Sequence, residues 1–248
     1  MNYMQTRSIL YMLLLLVCAT ASQAQQFITH GKIEFERKVN QHSFLEEGSI
    51  WNDMMKKNTP KFHTAYYDLY FKNGISLYKA GREPEVRQNK VWSVFIAENT
   101  IQTNIDSSTS ITLKDIQNDL YLLTDSLRKV DWKIGSEIRK IAGFDCRKAV
   151  GKIMDSIIVI AFYSDEIMPS GGPESFGGLP GMILGLAIPR MHTTWYATKL
   201  ELIDITDKDL QAPKKGKKYT NTAFQTQLKD IMKNWGDEGK RLIPQILL

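Results

Sequence analysis

Residues 155–188 read DSIIVIAFYSDEIMPSGGPESFGGLPGMILGLAI, and the fold class turns on them. Both alternates are apolar over residues 157–163, so a strand here needs cover on both faces and belongs inside a sheet. Residues 171–186 then hold six of the sixteen glycines and two of the eight prolines before running into the apolar MILGLAI. A phosphate loop asks for lysine and a hydroxyl residue after its glycines, whereas Met182 and Ile183 follow Gly181. A dinucleotide loop asks for a helix, whereas the residues after Gly181 stay extended to Pro189. The mechanical reading remains. In Leu179-Pro180-Gly181-Met182, Pro180 presets φ and Gly181 supplies a positive φ, the pattern of a type II turn. Gly171, Gly172, Gly177 and Gly178 let backbone pass where a Cβ would clash. The stretch is therefore a tight re-entry from one buried strand into another. If the bend stands uncovered instead, Met182, Ile183 and Leu184, with Trp195 and Tyr196, form an apolar patch for a ligand, a membrane or a partner.

Working outward, GKIEFERKV (31–39) sets Ile33, Phe35 and Val39 against Lys32, Glu34, Glu36 and Lys38, a half-buried strand. TAYYDLYFKNGISLYKAG (64–81) is a hairpin turning at Asn73-Gly74. TTWYATKLEL (193–202) alternates again. One helix is expected in SFLEEGSIWNDMMKK (43–57), with Ser43 and Glu46 as a capping box and Phe44, Leu45, Trp51, Met54 and Met55 on one face. A second, NTAFQTQLKDIMKNWG (221–236), spaces Phe224, Leu228, Ile231, Met232 and Trp235 at helical intervals and stops at Gly236. The expected fold is mainly β with two or three helices: a curved antiparallel sheet, open or a half barrel, covered by helices, in one domain over 25–248.

The amino terminus has the layout of a secretory signal: Arg7, an apolar core over residues 9–17, and Ser22-Gln23-Ala24 for cleavage near Ala24. That apolar run is too short to span a membrane, and Cys18 follows Val17 rather than the small residue that lipidation favours. The mature chain is expected to lack a transmembrane segment and to be exported, periplasmic or associated with the outer membrane. It keeps one cysteine, Cys146, which rules out an internal disulfide and reads as a small buried hydrophobe. The net charge of +5 is mild. KKGKK at 214–218 reads as a solvated linker, and no basic face interleaved with aromatics calls for nucleic acid. No feature specifies an oligomeric state.

His30, His42, His63 and His192 show no zinc spacing, and no cofactor motif occurs. Met191 and His192, with Met168 and Met182, are the residue types for a Cu(I) site. Ser164, Asp165, Glu166, Ser170 and His192 supply the types of a hydrolytic triad without a nucleophile elbow, and Asp165 and Glu166 read better as the solvated end of a strand. The favoured expectation is a non-enzymatic protein that binds an apolar ligand or a cell-envelope partner on its sheet face. Envelope copper handling is the alternative, and a hydrolase of unrecognised class the second.

GGPESFGGLPGMILGL resembles the signature of the GLPGLI family of exported bacterial proteins, with Met182 where the family name has leucine. The likeness extends through DSLRKVDWKIGSEIRKIAGFDCRKA (125–149), IIVIAFYSDEIMPSGGP (157–173) and TTWYATKLEL. It implies export, and supplies no reaction and no catalytic residues. EIRKIAGFDCRKAV also resembles the central hairpin of periplasmic lipoprotein-carrier-like sheets, which implies a curved open antiparallel sheet holding acyl chains on a concave face.

Overall fold

The computed structural model describes residues 27–45, 47–86, 98–116 and 118–248. The expected signal peptide over residues 1–24 and the capping residue Glu46 lie outside them. The strands are β1 (His30–Asn40), β2 (Phe62–Lys72), β3 (Ile75–Ala80), β4 (Glu98–Asn104), β5 (Thr109–Ile116), β6 (Asp119–Ser126), β7 (Lys133–Ile141), β8 (Phe144–Ile153), β9 (Ile157–Ser164), β10 (Met182–Ile188), β11 (Thr193–Glu201) and β12 (Lys217–Tyr219). They form one open, curved sheet in the order β12-β6-β5-β4-β3-β2-β1-β11-β10-β9-β8-β7. Every pairing is antiparallel except the short parallel contact of β12 with β6.

The mainly β architecture follows from the patterning. β10, apolar along its length, is buried at six of seven positions and lies between β9 and β11. Asn73 (φ +49°) and Gly74 (φ +77°) both take the positive φ that a hairpin turn between β2 and β3 requires. Curvature has a local cause at Gly185, where a Cβ would stand 2.8 Å from Cδ1 of Ile141 and 3.0 Å from the ring of Tyr196. Glycine there lets β7, the far edge, fold over the face of β10 and β11. The interior is filled by the protein's own side chains, with Trp195, Tyr78, Phe35, Phe71 and Phe176 among the largest. Each such burial contributes about 1.5–3 kcal/mol.

Among the described residues three α-helices form, within the expected number, but the first departs from its expected bounds. Residues 41–44 form a 3-10 turn held by Ser43 Oγ donating to the Asn40 carbonyl, and helix α1 begins only at Ile50 (Ile50–Asn58), after Ser49. Ser43 is spent on the strand end it follows and caps no helix. None of the residues of α1 is buried, and Ile50, Trp51 and Met54 face outward. Helix α2 (Asn221–Met232) starts on Thr220, whose side chain accepts from the Ala223 amide, and buries Phe224, Leu228 and Met232. The helical run ends just ahead of Gly236, the expected stop, and the chain continues. With φ +59° that residue turns it through the 3-10 segment Lys233–Trp235 into helix α3 (Gly236–Ile246). Leu242 and Ile246 of α3 join the buried side of α2 against Tyr121 and Leu123 of β6, so these helices pack at that end of the sheet.

Candidate functional site

Residues 165–181 form the loop from β9 to β10, buried over residues 171–174 and at Phe176, Leu179 and Gly181, and their backbone is fastened on both sides. The Met182 amide donates to Ile167 O (3.1 Å), the Ile183 amide to Gly171 O (2.8 Å) and the Gly178 amide to Ser170 Oγ (2.9 Å). Gly181 has φ +143°, and a Cβ on it would lie 2.1 Å from the Ser164 carbonyl oxygen. Its amide donates to Leu179 O (2.8 Å), closing a three-residue turn over Pro180. The four-residue type II turn does not form, because the amide it needs, that of Met182, is taken by Ile167. Gly178 (φ +83°) carries another positive φ of the bend, and Gly172 admits Ile183 at a distance that excludes a Cβ.

Met182, Ile183, Leu184 and Trp195 are wholly buried and Tyr196 half-buried. This corrects the reading of Met182, Ile183, Leu184 and Trp195 as a binding patch: strands and the loop cover these four side chains. Met182 opens β10 and His192 follows its other end, about 20 Å away at a strand's rise per residue. The same separation keeps Ser170, which bonds the loop near Gly178, from His192, so neither the methionine-histidine set nor a serine-histidine pair is assembled. His192 is exposed, and its ring meets the edge of Phe44 at 5.6 Å. Asp165 and Glu166 follow the end of β9, exposed and half-buried, while Ser164 is wholly enclosed. His30 and His63 sit near opposite ends of the β1–β2 pairing, and His42 binds the Thr59 carbonyl at 3.0 Å. Among the described residues no three of His, Cys, Asp and Glu gather as metal ligands. Cys146 is wholly buried, and burial pushes its thiol up to about 12.

What the loop does carry inward is a carboxylate. Glu174 (φ +56°, 3% exposed) accepts from Asn99 Nδ2 of β4 at 2.7 Å, and Asn99 Oδ1 accepts from Lys114 Nζ of β5 at 3.2 Å. Arg37 of β1 stands nearby, donating Nη1 to Tyr67 Oη at 3.2 Å, with its guanidinium 5.4 Å from the Trp195 ring centre. Arg128, on the segment between β6 and β7, donates Nε to Ser175 Oγ (2.9 Å) and lies 4.9 Å over Phe176. The charge of Glu174 acts on all three cations, but among the described residues none of them pairs with it directly. Burial brings the Lys114 ammonium down to about 8; Arg128 and Arg37 push the same way and Glu174 opposes them. The Nε of Arg37 is buried without a hydrogen-bond partner among the described residues, and the Trp195 indole NH faces the Tyr78 hydroxyl.

The short segment bearing Arg128, residues 127–132, joins strands near opposite edges of the sheet and spans the gap that curvature leaves between them. Gly151 of β8 gives it room, since a Cβ there would lie 2.5 Å from Val130 Cγ1, and Trp132 Nε1 ties it to Gly177 O at 2.9 Å. A recess opens on each side. One, of about 600 Å³, has Ile105, Leu127, Val130 and Phe176 in its walls beside Gly177 and Gly178. The other, of about 700 Å³, is lined by Lys114, Arg128, Ser110, Thr112 and Ser175, with Asp125 beside them.

A family model described as a protein of unknown function (Porph_ging) matches residues 151–185, the end of β8, all of β9 and the loop into β10. No curated protein matches the chain. The structure of PNGF-II superposes with a TM-score of 0.53 at 14% identity, covering 80% of this chain and 32% of the other, so the likeness is one of fold. An uncharacterized conserved protein from Thermus thermophilus covers 79% of this chain and 93% of its own at 7% identity, with a TM-score of 0.40.

Arg37, Lys114, Arg128 and Glu174 went unread in the sequence, although two of them left a trace. Position 37 falls on the inward alternate of β1, between Phe35 and Val39, so an arginine there interrupts an apolar register. Glu174 is the acid inside a run of glycines that the fold buries. Lys114 left no such trace in TSITLKDI, where burial follows the register of Ser110.

Proposed function

We propose that this is an exported, non-enzymatic binding protein of the cell envelope, periplasmic or associated with the outer membrane, that takes an apolar ligand or an apolar segment of an envelope partner. The location in the envelope is supported by the signal layout of residues 1–24 and by the family resemblance. One observation carries the binding role: the interior is filled by Trp195, Tyr78, Phe35 and Phe71, while a recess of about 600 Å³ stays open against the loop, walled by Ile105, Leu127 and Val130. The binding place therefore moves from the sheet face to the rim of the spanning segment. The neutral dye N-phenyl-1-naphthylamine tests it. Saturable fluorescence enhancement is expected with the wild type, reduced at least tenfold in Leu127→Glu. Equal enhancement in both proteins rejects the recess. For the location, the mature protein should begin at Gln25 on amino-terminal sequencing of an envelope fraction.

A further inference from the structure

Three basic side chains from separate parts of the chain converge on one carboxylate, and the Asn99 amide stands between that carboxylate and Lys114. A buried cation without a direct counter-ion, as Lys114 is among the described residues, is strongly unfavourable, so it either sheds a proton or holds an anion. The geometry points to the second: the cavity of about 700 Å³ is an oxyanion site, in which a phosphate or carboxylate group contacts Lys114 and Arg128.

The site is built for this. Lys114 is 2% exposed and offers its remaining ammonium hydrogens on the wall shared with the Ser110 and Thr112 hydroxyls. Arg128, half-buried, anchors Nε on Ser175 and Nη2 on the Leu247 carbonyl and, at 2.8 Å, on the terminal carboxylate of Leu248, which leaves Nη1 without a protein partner among the described residues. Arg37 lies behind, 8% exposed, with Nε unpartnered, and adds its field. Among the described residues no acid bordering the cavity pairs with Lys114. Asp125 is bound to the amides of Ser126 and Asn221, and Asp131 and Asp155 lie on the exposed rim with Lys129 and Lys152. Glu174 faces Asn99 from the other side.

The two recesses share the residues from Ser126 to Asp131, so the anion site rests on the binding reading above for its purpose: it would seat the charged end of the same ligand. Calorimetric titration of the full chain with inorganic phosphate and with sodium acetate, at constant ionic strength maintained with chloride, tests it. At pH 7 saturable binding of at least one is expected; phosphate alone marks a phosphoryl ligand, acetate a carboxylate. Lys114→Met should weaken it at least tenfold, and Lys152→Ala by less than twofold. Acetate binding by the wild type should also fall about tenfold from pH 7 to 9.5 as Lys114 discharges, a readout that needs no variant. Absence of saturable binding, or binding that survives Lys114→Met or pH 9.5, overturns the proposal. Dye binding without anion binding rejects this site alone, and anion binding without dye binding rejects only the apolar recess.

Discussion

Two interiors meet at the same loop. On one side Phe176, Leu179, Met182 and Ile183 pack against β9, β10 and β11, and every large side chain is wholly or almost wholly enclosed by other apolar groups. On the other, Glu174 and Ser175, in the same few residues, reach Asn99 and Arg128, and the enclosed groups are charged. The first interior is complete in itself, because packing at crystal-like density leaves nothing for a ligand to add. The second has unbalanced charge and unpartnered donors, and such a deficit is where an added group gains affinity.

The sharpest test of the packed side is Gly181→Ala. Its Cβ would overlap the Ser164 carbonyl oxygen, a backbone atom between strands, and alanine also disfavours φ +143°. Loss of the folded state is expected, read as absence of a cooperative thermal transition. Gly178→Ala is the control. It also has positive φ, but its nearest neighbour is Trp132 Nε1 at 3.9 Å, so only the backbone cost of about 1–2 kcal/mol applies. Similar losses in the two variants would show that conformation, and not close approach, selects the glycines.

Those two glycines also show how far the sequence could be read. Composition and the doubly apolar β9 were enough for a re-entrant bend between buried strands, and the alternation of β1 and the Asn73-Gly74 turn were enough for an antiparallel sheet. The hydrogen bond that decides the turn type joins Met182 to Ile167, a tertiary partner to which local rules are blind. Helix α1 failed for a related reason: the apolar residues of 43–57 match a helical face, but Ser43 and Leu45 are claimed by the turn after β1, and no surface meets Trp51. The charged site was hidden more deeply. Arg37, Asn99, Lys114, Arg128 and Glu174 are scattered over much of the chain, and only the sheet order brings them together.

On the charged side the largest effect should come from Glu174→Gln, which keeps the shape and the contact with Asn99 but removes the carboxylate whose field acts on three cations. A destabilisation of about 3–5 kcal/mol in urea is expected in chloride buffer, the range for a buried charge stripped of its counter-charge. A loss below about 1 kcal/mol would place the cations in solvent and end the contrast between the interiors.

The pH dependence of Lys114 comes next. Its ammonium titrates near 8 when folded and near 10.5 in the unfolded chain, so between those values the unfolded chain holds more protons and stability rises with pH. Relative to Lys114→Met, the wild type should gain about 2 kcal/mol between pH 7 and 9.5 in chloride buffer free of oxyanions, as integrating over that window gives. Saturating oxyanion should flatten the rise, because a bound anion holds the proton on Lys114. A pH-independent difference between the two proteins would mean that Lys114 is already paired.

The smallest effect belongs to a region outside both interiors. Ile50 and Trp51 at the start of α1 are 85% and 73% exposed, and the helix buries none of its residues. Converting both to serine removes apolar surface that folding does not cover, so the melting free energy should change by less than about 0.5 kcal/mol. The comparison is informative because Trp195, equally aromatic, is wholly enclosed, and truncating it to alanine should cost about 3–5 kcal/mol. If the serine pair instead destabilises the chain by more than about 1.5 kcal/mol, α1 is packed against something in solution, and chemical crosslinking from Lys56 and Lys57 in the same helix would show what it touches.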